Sequence, residues 1–228
     1  YNNTPVAVLD VAQGTEDSTT LSGNVSTNDT HKDGTETYQL MSSATGIHGG
    51  LVFNPLNGAW TYTRTANLEA IQTAVIDTFT YKVTDAAGKE STAQLKITLD
   101  PVNDAPEVTY STVQKATYFE NADPVVAISA PLVLSDVDSA NLSGATVRVA
   151  NFSTPNAFMP GDLLSFTLPA NSTISGVYDT NTGILTFTGV ASVAQYQDAL
   201  RSVKYAHNKD DYATDGNRKV FWTVTDEG

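Results

Sequence analysis

Apolar side chains in this chain alternate with Thr, Ser, Asn and Lys in short runs, and Gly, Pro, Asn or Asp closes most runs. This period of two constrains the fold more than any other feature. Successive side chains on a β-strand point to opposite faces, so a strand with one face in a core reads apolar and polar in turn. Thr78-Phe-Thr-Tyr-Lys-Val-Thr84 is such a run. Others are Pro5–Val11, Gly50–Phe53, Ala59–Thr63 and Thr92–Leu99. Leu51–Tyr62 reads as a hairpin with Asn57-Gly58 in its turn. Asn67–Ile76 is the one helix-like piece of the first half.

The pattern then restarts. Strands are expected at Val125–Ile128, Ala145–Phe152, Leu164–Leu168, Ser175–Tyr178, Ile184–Thr188, Val203–Tyr205 and Lys219–Thr225, with a turn at Asp179–Gly183. Ser192–Ser202 has helical spacing, with Val193, Tyr196 and Leu200 on one face. The halves repeat weakly. Each has an early acidic residue (Glu16-Asp17; Glu120-Asn121), a short helical piece, and a strand that ends Val-Thr-Asp at Asp85 or Asp226. A chain of 228 residues has room for two cores. The expected fold is all-β: two tandem Greek-key sandwiches joined end to end, residues 1–103 and 104–228, the last strand of the second cut short. A start inside a strand-like segment and an end just after another read as a piece of a longer protein.

Between the halves lies Thr98-Leu-Asp-Pro-Val-Asn-Asp-Ala-Pro-Glu-Val108. A turn needs one Asp or Asn, yet Asp100, Asn103 and Asp104 fall together here. Calcium takes six to eight oxygens from carboxylates, carbonyls and Asn side chains, and this linker offers several in one short span. Pro101 and Pro106 restrict the conformations the linker loses on ordering. Asp136 and Asp138 alternate along an extended segment, so both can face one ion. Any one of these acids also suits a solvated turn. Asp29–Gly34 and Asp211–Gly216 resemble the start of an EF-hand loop, but Leu40 and Trp222 stand where the bidentate Glu belongs, so both read as turns.

Composition narrows the function. The net charge of −13 argues against nucleic acid and anionic membrane surfaces and suits cation binding. No cysteine is present, which excludes disulfides, thiol nucleophiles and cysteine-built zinc sites. No stretch reads as a membrane span. His31, His48 and His207 fall in separate turn-like or strand-end contexts, and no nucleophile elbow or His-Glu-x-x-His occurs, so no enzyme is expected.

Gly46-Ile-His-Gly-Gly-Leu-Val-Phe53, Gly58-Ala-Trp-Thr-Tyr62 and Asp77–Asp85 resemble the VCBS-type and cadherin-like repeats of large secreted bacterial adhesins of the RTX type. Ser135-Asp-Val-Asp138, Gly183-Ile-Leu-Thr186, Tyr196–Tyr205 and the closing Val-Thr-Asp resemble a related cadherin-like repeat. The resemblance implies cadherin-like sandwiches stiffened by calcium, on a bacterial surface or secreted, serving adhesion or biofilm contacts. It implies Glu16 as a basal acid, Asn103 and Asp104 as linker ligands, Asp136 and Asp138 as a paired motif, and Asp226 as a loop acid. Asp77 is implied as a further acidic ligand, and Asp100 joins from the linker. The linker lacks the full Asp-x-Asn-Asp-Asn pattern, which implies one or two ions rather than three. The expected partners are neighbouring repeats and, beyond them, a polysaccharide or cell-surface protein. The rival reading is a calcium-dependent lectin that stacks sugars on Trp60, Tyr62, Tyr110, Tyr118 or Trp222. Alternation puts Trp60 and Tyr62 on one strand face, where a sandwich core is their usual place.

Overall fold

The structure is a computed structural model, and it describes residues 3–30, 35–110, 116–119, 125–126, 132–152, 157–208 and 217–228. The expectations at His31, Glu120-Asn121, residues 127–128 and most of the two EF-hand-like turns lie outside the described residues. The chain divides into two compact units, Tyr1–Val102 and Asn103–Gly228.

Among the described residues the first unit has seven strands: β1 (Asp10–Thr15), β2 (Thr20–Asn24), β3 (Thr37–Leu40), β4 (Gly49–Phe53), β5 (Ala59–Arg64), β6 (Val75–Thr84) and β7 (Glu90–Asp100). One sheet has the order β1-β7-β6-β3, with β1 parallel to β7, and the other has the order β2-β5-β4. The inward residues of both sheets form one core. Leu51, Trp60 and Tyr62 come from one face, and Phe79, Tyr81, Val83, Leu95, Ile97 and Leu99 from the other. This is a β-sandwich, in which two half-apolar sheets exclude water from their facing sides. The β4–β5 hairpin pairs Phe53 with Trp60, and Gly58 takes the positive φ of 72° that the turn demands.

Two expectations need correction here. Asn67–Ile76 is no helix: Leu68 is buried, Ile71 N–H donates to Leu68 O at 2.9 Å, and Asn67 Oδ1 accepts from Glu69 N at 3.1 Å. A segment anchored by one buried Leu and an Asn-led turn has no continuous apolar stripe to bury, so the turn wins. The helical piece is therefore not shared by the two halves. Pro5–Leu9 also forms no regular ladder. It is tied by a two-way bridge between Val6 and Thr30, and Ala7 N–H donates to Ser91 Oγ at 3.1 Å.

The second unit contains β8 (Glu107–Tyr110), β9 (Val125–Val126), β10 (Leu132–Ser135), β11 (Asn141–Asn151), β12 (Asp162–Ser165), β13 (Ser175–Asp179), β14 (Ile184–Ser192), helix α1 (Val193–Arg201), β15 (Lys204–His207) and β16 (Arg218–Thr225). Its sheets run β13-β14-β11-β16, β12-β15-β9 and β10-β8. The core joins Val147, Val149, Leu185 and Phe187 to Tyr196, Ala199 and Leu200 of α1. α1 begins with a capping box between Ser192 and Gln195. It also closes the edge of β10: Leu134 N–H donates to Gln197 Oε1 at 3.1 Å, and Arg201 Nε donates to Leu132 O at 2.8 Å. A helix that satisfies a strand edge removes a template for aggregation.

Candidate functional site

Five of the oxygen-bearing side chains predicted to bind calcium lie in the second unit. Asn103 and Asp104 precede β8, Asp136 and Asp138 sit in the turn between β10 and β11, and Asp226 follows β16. The fold links them. Asn103 Nδ2 donates to Asp226 Oδ2 at 3.0 Å, and Asp104 N–H donates to Asp138 Oδ2 at 3.2 Å. Asp136 Oδ1 accepts from Asp138 N–H at 3.2 Å and Ser139 N–H at 2.8 Å, an Asx turn. The Ser143 hydroxyl donates to the Asp226 carbonyl, which fixes the loop after β16. A Cβ on Gly228 would stand 2.0 Å from Asn103 Cγ, so that backbone packs directly on the Asn side chain.

The electrostatics of this group are unfavourable as they stand. Asp104 Oδ2 and Asp136 Oδ2 are shut from solvent without a hydrogen-bond donor. Burial raises the Asp136 carboxyl above its ordinary range, and the neighbouring Asp138 carboxyl adds to this against the Ser139 N–H. Carboxylates, a carbonyl and an Asn amide are the hard oxygen donors that calcium takes, so the residue types fit that ion. Among the described residues, however, no three His, Asp or Glu side chains are gathered as they would be around a bound metal.

Glu16 and Asp100 belong to the first unit. Glu16 is 1% exposed, its Oε1 accepts from Val102 N–H at 2.9 Å, and its Oε2 has no donor. Its own N–H donates to Asp100 O at 2.9 Å, continuing the β1–β7 pairing to the end of both strands. The Asp100 carboxylate accepts from Gln13 Nε2 at 2.5 Å.

Asp77 has a different environment from the one expected for it. It is 3% exposed on β6 and is enclosed by donors from its own unit. Ile47 N–H donates to Oδ1 at 2.9 Å; His48 N–H and Gly49 N–H donate to Oδ2, each at 3.0 Å; the Tyr62 hydroxyl donates to Oδ2 at 2.8 Å. His48 Nδ1 lies 3.1 Å from Oδ1. Burial alone would raise this carboxyl, but the Tyr62, His48 and Ile47 donors outweigh it and hold it below its ordinary range. Gly46 completes the nest, since a Cβ there would meet Asp77 Oδ2 at 2.4 Å. The Gly-Ile-His-Gly-Gly stretch is thus a loop folded around a carboxylate.

Two further polar clusters left no mark in the sequence. The Tyr81 hydroxyl lies 3.0 Å from Val8 O, 2.9 Å from Asp10 Oδ2 and 3.2 Å from Asp29 Oδ1. Burial, with the Asp29 charge adding to it, raises Asp10 to about 6. In the second unit, buried Asp162 accepts from Tyr205 at 2.6 Å and Arg218 Nε at 2.9 Å. Only a list of contacts across distant strands could have found either cluster. Trp60 and Tyr62, 6% and 1% exposed, lie in the core and offer no sugar platform.

No helix among the described residues is long and apolar enough to cross a membrane. Among curated proteins no sequence matches the chain significantly. Among solved structures, Drosophila N-cadherin domains 1–4 are 13% identical, with 99% of this chain and 46% of that one covered and a TM-score of 0.43. Protocadherin Gamma B2 extracellular cadherin domains 3–6 are 16% identical, with 100% and 49% covered and a TM-score of 0.41. Protocadherin Gamma B7 extracellular cadherin domains 1–4 are 15% identical, with 99% and 50% covered and a TM-score of 0.36. The chain spans about half the length of these three matched ectodomain structures. A protein-family model described as the bacterial cadherin-like domain matches residues 2–101, which make up nearly all of the first unit.

Proposed function

We propose that the chain is an extracellular, adhesion-type segment whose two units are successive repeats, and that calcium restrains the link between them. The reading rests on one observation: hydrogen bonds tie Asn103 to Asp226, Asp104 to Asp138 and Asp138 to Asp136, while the buried Oδ2 atoms of Asp104 and Asp136 lack any donor. Glu16 and Asp100, at the end of the first unit's β1 and β7, are the residues that would join them. Calcium would supply the positive charge that this acidic set lacks, and would hold the linker by binding on both sides of it. The parent protein would be a bacterial surface or secreted adhesin, acting in cell–cell or biofilm contacts.

The test is a calcium titration followed by thermal unfolding. An ion that binds the folded state alone raises the melting temperature by mass action. Calcium is expected to do so, and magnesium far less, because magnesium demands six rigid ligands and keeps its water. Asp136→Ala with Asp138→Ala is expected to abolish the calcium shift and leave both units folded. Equal shifts with both ions, or none with either, would trace the effect to charge screening and end the proposal.

A further inference from the structure

One hydroxyl in the first unit faces three acceptors. The Tyr81 oxygen lies 2.9 Å from Asp10 Oδ2, 3.0 Å from Val8 O and 3.2 Å from Asp29 Oδ1. A hydroxyl carries one proton, so it donates to one of them while its lone pairs face the others. Tyr81 and Asp29 are buried, and Asp10, the first residue of β1, is partly buried. The groups that bear on Asp10 are Tyr81 of β6, Asp29 and Asn28 from the loop between β2 and β3, and, at longer range, Tyr38 of β3. Glu36, beside Tyr38, adds another acid. None of these groups is a cation.

The same cluster holds the segment before β1. Both polar groups of the Val8 backbone end on it: the N–H donates to Asp29 Oδ1 at 2.9 Å, and the carbonyl faces Tyr81. Leu9 O accepts from Asn28 Nδ2 at 3.0 Å. Further ties are the Val6–Thr30 bridge and the bond from Ala7 N–H to Ser91 Oγ. Val6, Val8 and Leu9 are exposed, so hydrogen bonds do much of the holding.

We infer that Asp10, Tyr81 and Asp29 form a proton-operated latch on Pro5–Leu9, closed when Asp10 is protonated and loosened when it is ionised. In the closed state Asp10 donates to the Tyr81 oxygen, and Tyr81 donates in turn to Val8 O. Once Asp10 loses its proton, Tyr81 gives its own to a carboxylate and Val8 O loses its donor. Two like charges then stand within 3.2 Å of one oxygen, and swinging the segment and the start of β1 toward water separates them. Burial, with the Asp29 charge adding to it, raises the Asp10 carboxyl to about 6, in line with this order of events. The latch uses none of the residues assigned to calcium, so either proposal can fail without the other.

The sign and size follow from linkage. An opened Asp10 titrates near its ordinary value of about 4, so the closed state is favoured fully below about pH 4 and loses that advantage as pH rises through 6. That interval caps the change in opening at about 100-fold, and solvent screening at a partly buried group leaves about tenfold.

The test is amide hydrogen exchange by NMR on the whole chain at pH 4 and pH 7, each rate compared with its intrinsic value. Chelator is present throughout, so that no bound cation offsets the charges. Protection of the Val6, Val8 and Thr30 amides is expected to fall about tenfold from the lower pH to the higher. Amides paired between β6 and β7 report global unfolding and serve as the control. The Asp10 carboxyl carbon should titrate at about 6 in the same sample. Asp10→Asn keeps a donor on the Tyr81 oxygen at every pH and should abolish the fall. Unchanged protection of the three amides in the unsubstituted chain would overturn the inference, whether or not that variant folds. An equal fall in Asp10→Asn would overturn it too, since the proton would then act on another group.

Discussion

Replacing Asp77 with Ala separates a carboxylate that holds a fold from one that holds an ion. Four protein donors converge on it, and two of them, Gly49 N–H at 3.0 Å and the Tyr62 hydroxyl at 2.8 Å, make fully buried bonds. A buried donor left without an acceptor costs about 1–3 kcal/mol, so these two together predict a loss of about 4 kcal/mol. The Ile47 and His48 donors reach water more easily and add less. Against the 5–15 kcal/mol typical of a domain this is a large fraction, and it corresponds to a fall of about 15–30 °C in the melting temperature of the first unit. Asp77→Asn should lose about half as much, because one oxygen remains while the new amide faces donors. Urea unfolding followed by Trp60 fluorescence in a Trp222→Phe background measures both variants, with calcium and with chelator. The loss should be equal in the two conditions. The pH dependence has a definite sign: a carboxyl held below its unfolded value adds stability above about pH 4, and that stability is lost as pH falls through the folded value. If Asp77→Ala matched the unsubstituted chain in chelator and lost only a calcium-dependent gain, Asp77 would be an ion ligand and the nest argument would be wrong.

Asp10 has the opposite sign. Raised to about 6, it adds stability below about pH 4 that disappears as pH rises through 6, about 3 kcal/mol at most and nearer 1.5 after allowing for solvent screening. Asp10→Asn should therefore shrink the difference in urea midpoint between pH 4.5 and 8. Gly46→Ala should cost about 2–3 kcal/mol through its 2.4 Å clash with Asp77, whereas Gly50→Ala, whose nearest neighbour is 3.9 Å away, should unfold at nearly the unsubstituted midpoint. Arg218→Met strips the cation from buried Asp162 and should lower the stability of the second unit by about 3 kcal/mol or more, while Lys82→Met, which breaks the exposed pair with Glu90, should change the first by under about 1 kcal/mol. If calcium restrains the linker, Asp104→Ala should give small-angle scattering in calcium a broader distance distribution, close to that of the unsubstituted chain in chelator.

What could be read from the sequence was what depends on neighbours along the chain. Alternation identified most of the long strands, Asn57-Gly58 located a hairpin, and the spacing of Val193, Tyr196 and Leu200 found α1, because each signal is local and repeats with the period of its element. The short strands β2, β3 and β10 escaped, being four or five residues long and defined by the partner they pair with. The acidic side chains could be named from the sequence, but not assigned to their tasks. Asp77 and Asp136 are the same residue type, each flanked along the chain by one aliphatic and one hydroxyl-bearing residue. Tertiary structure separates them: a loop from thirty residues upstream wraps its N–H groups around Asp77, whereas Asp136 faces another carboxylate with one oxygen lacking a donor. Hydrogen-bond supply around a buried charge is set by strands distant in sequence, so only the folded chain decides which carboxylates are already satisfied and which still lack positive charge.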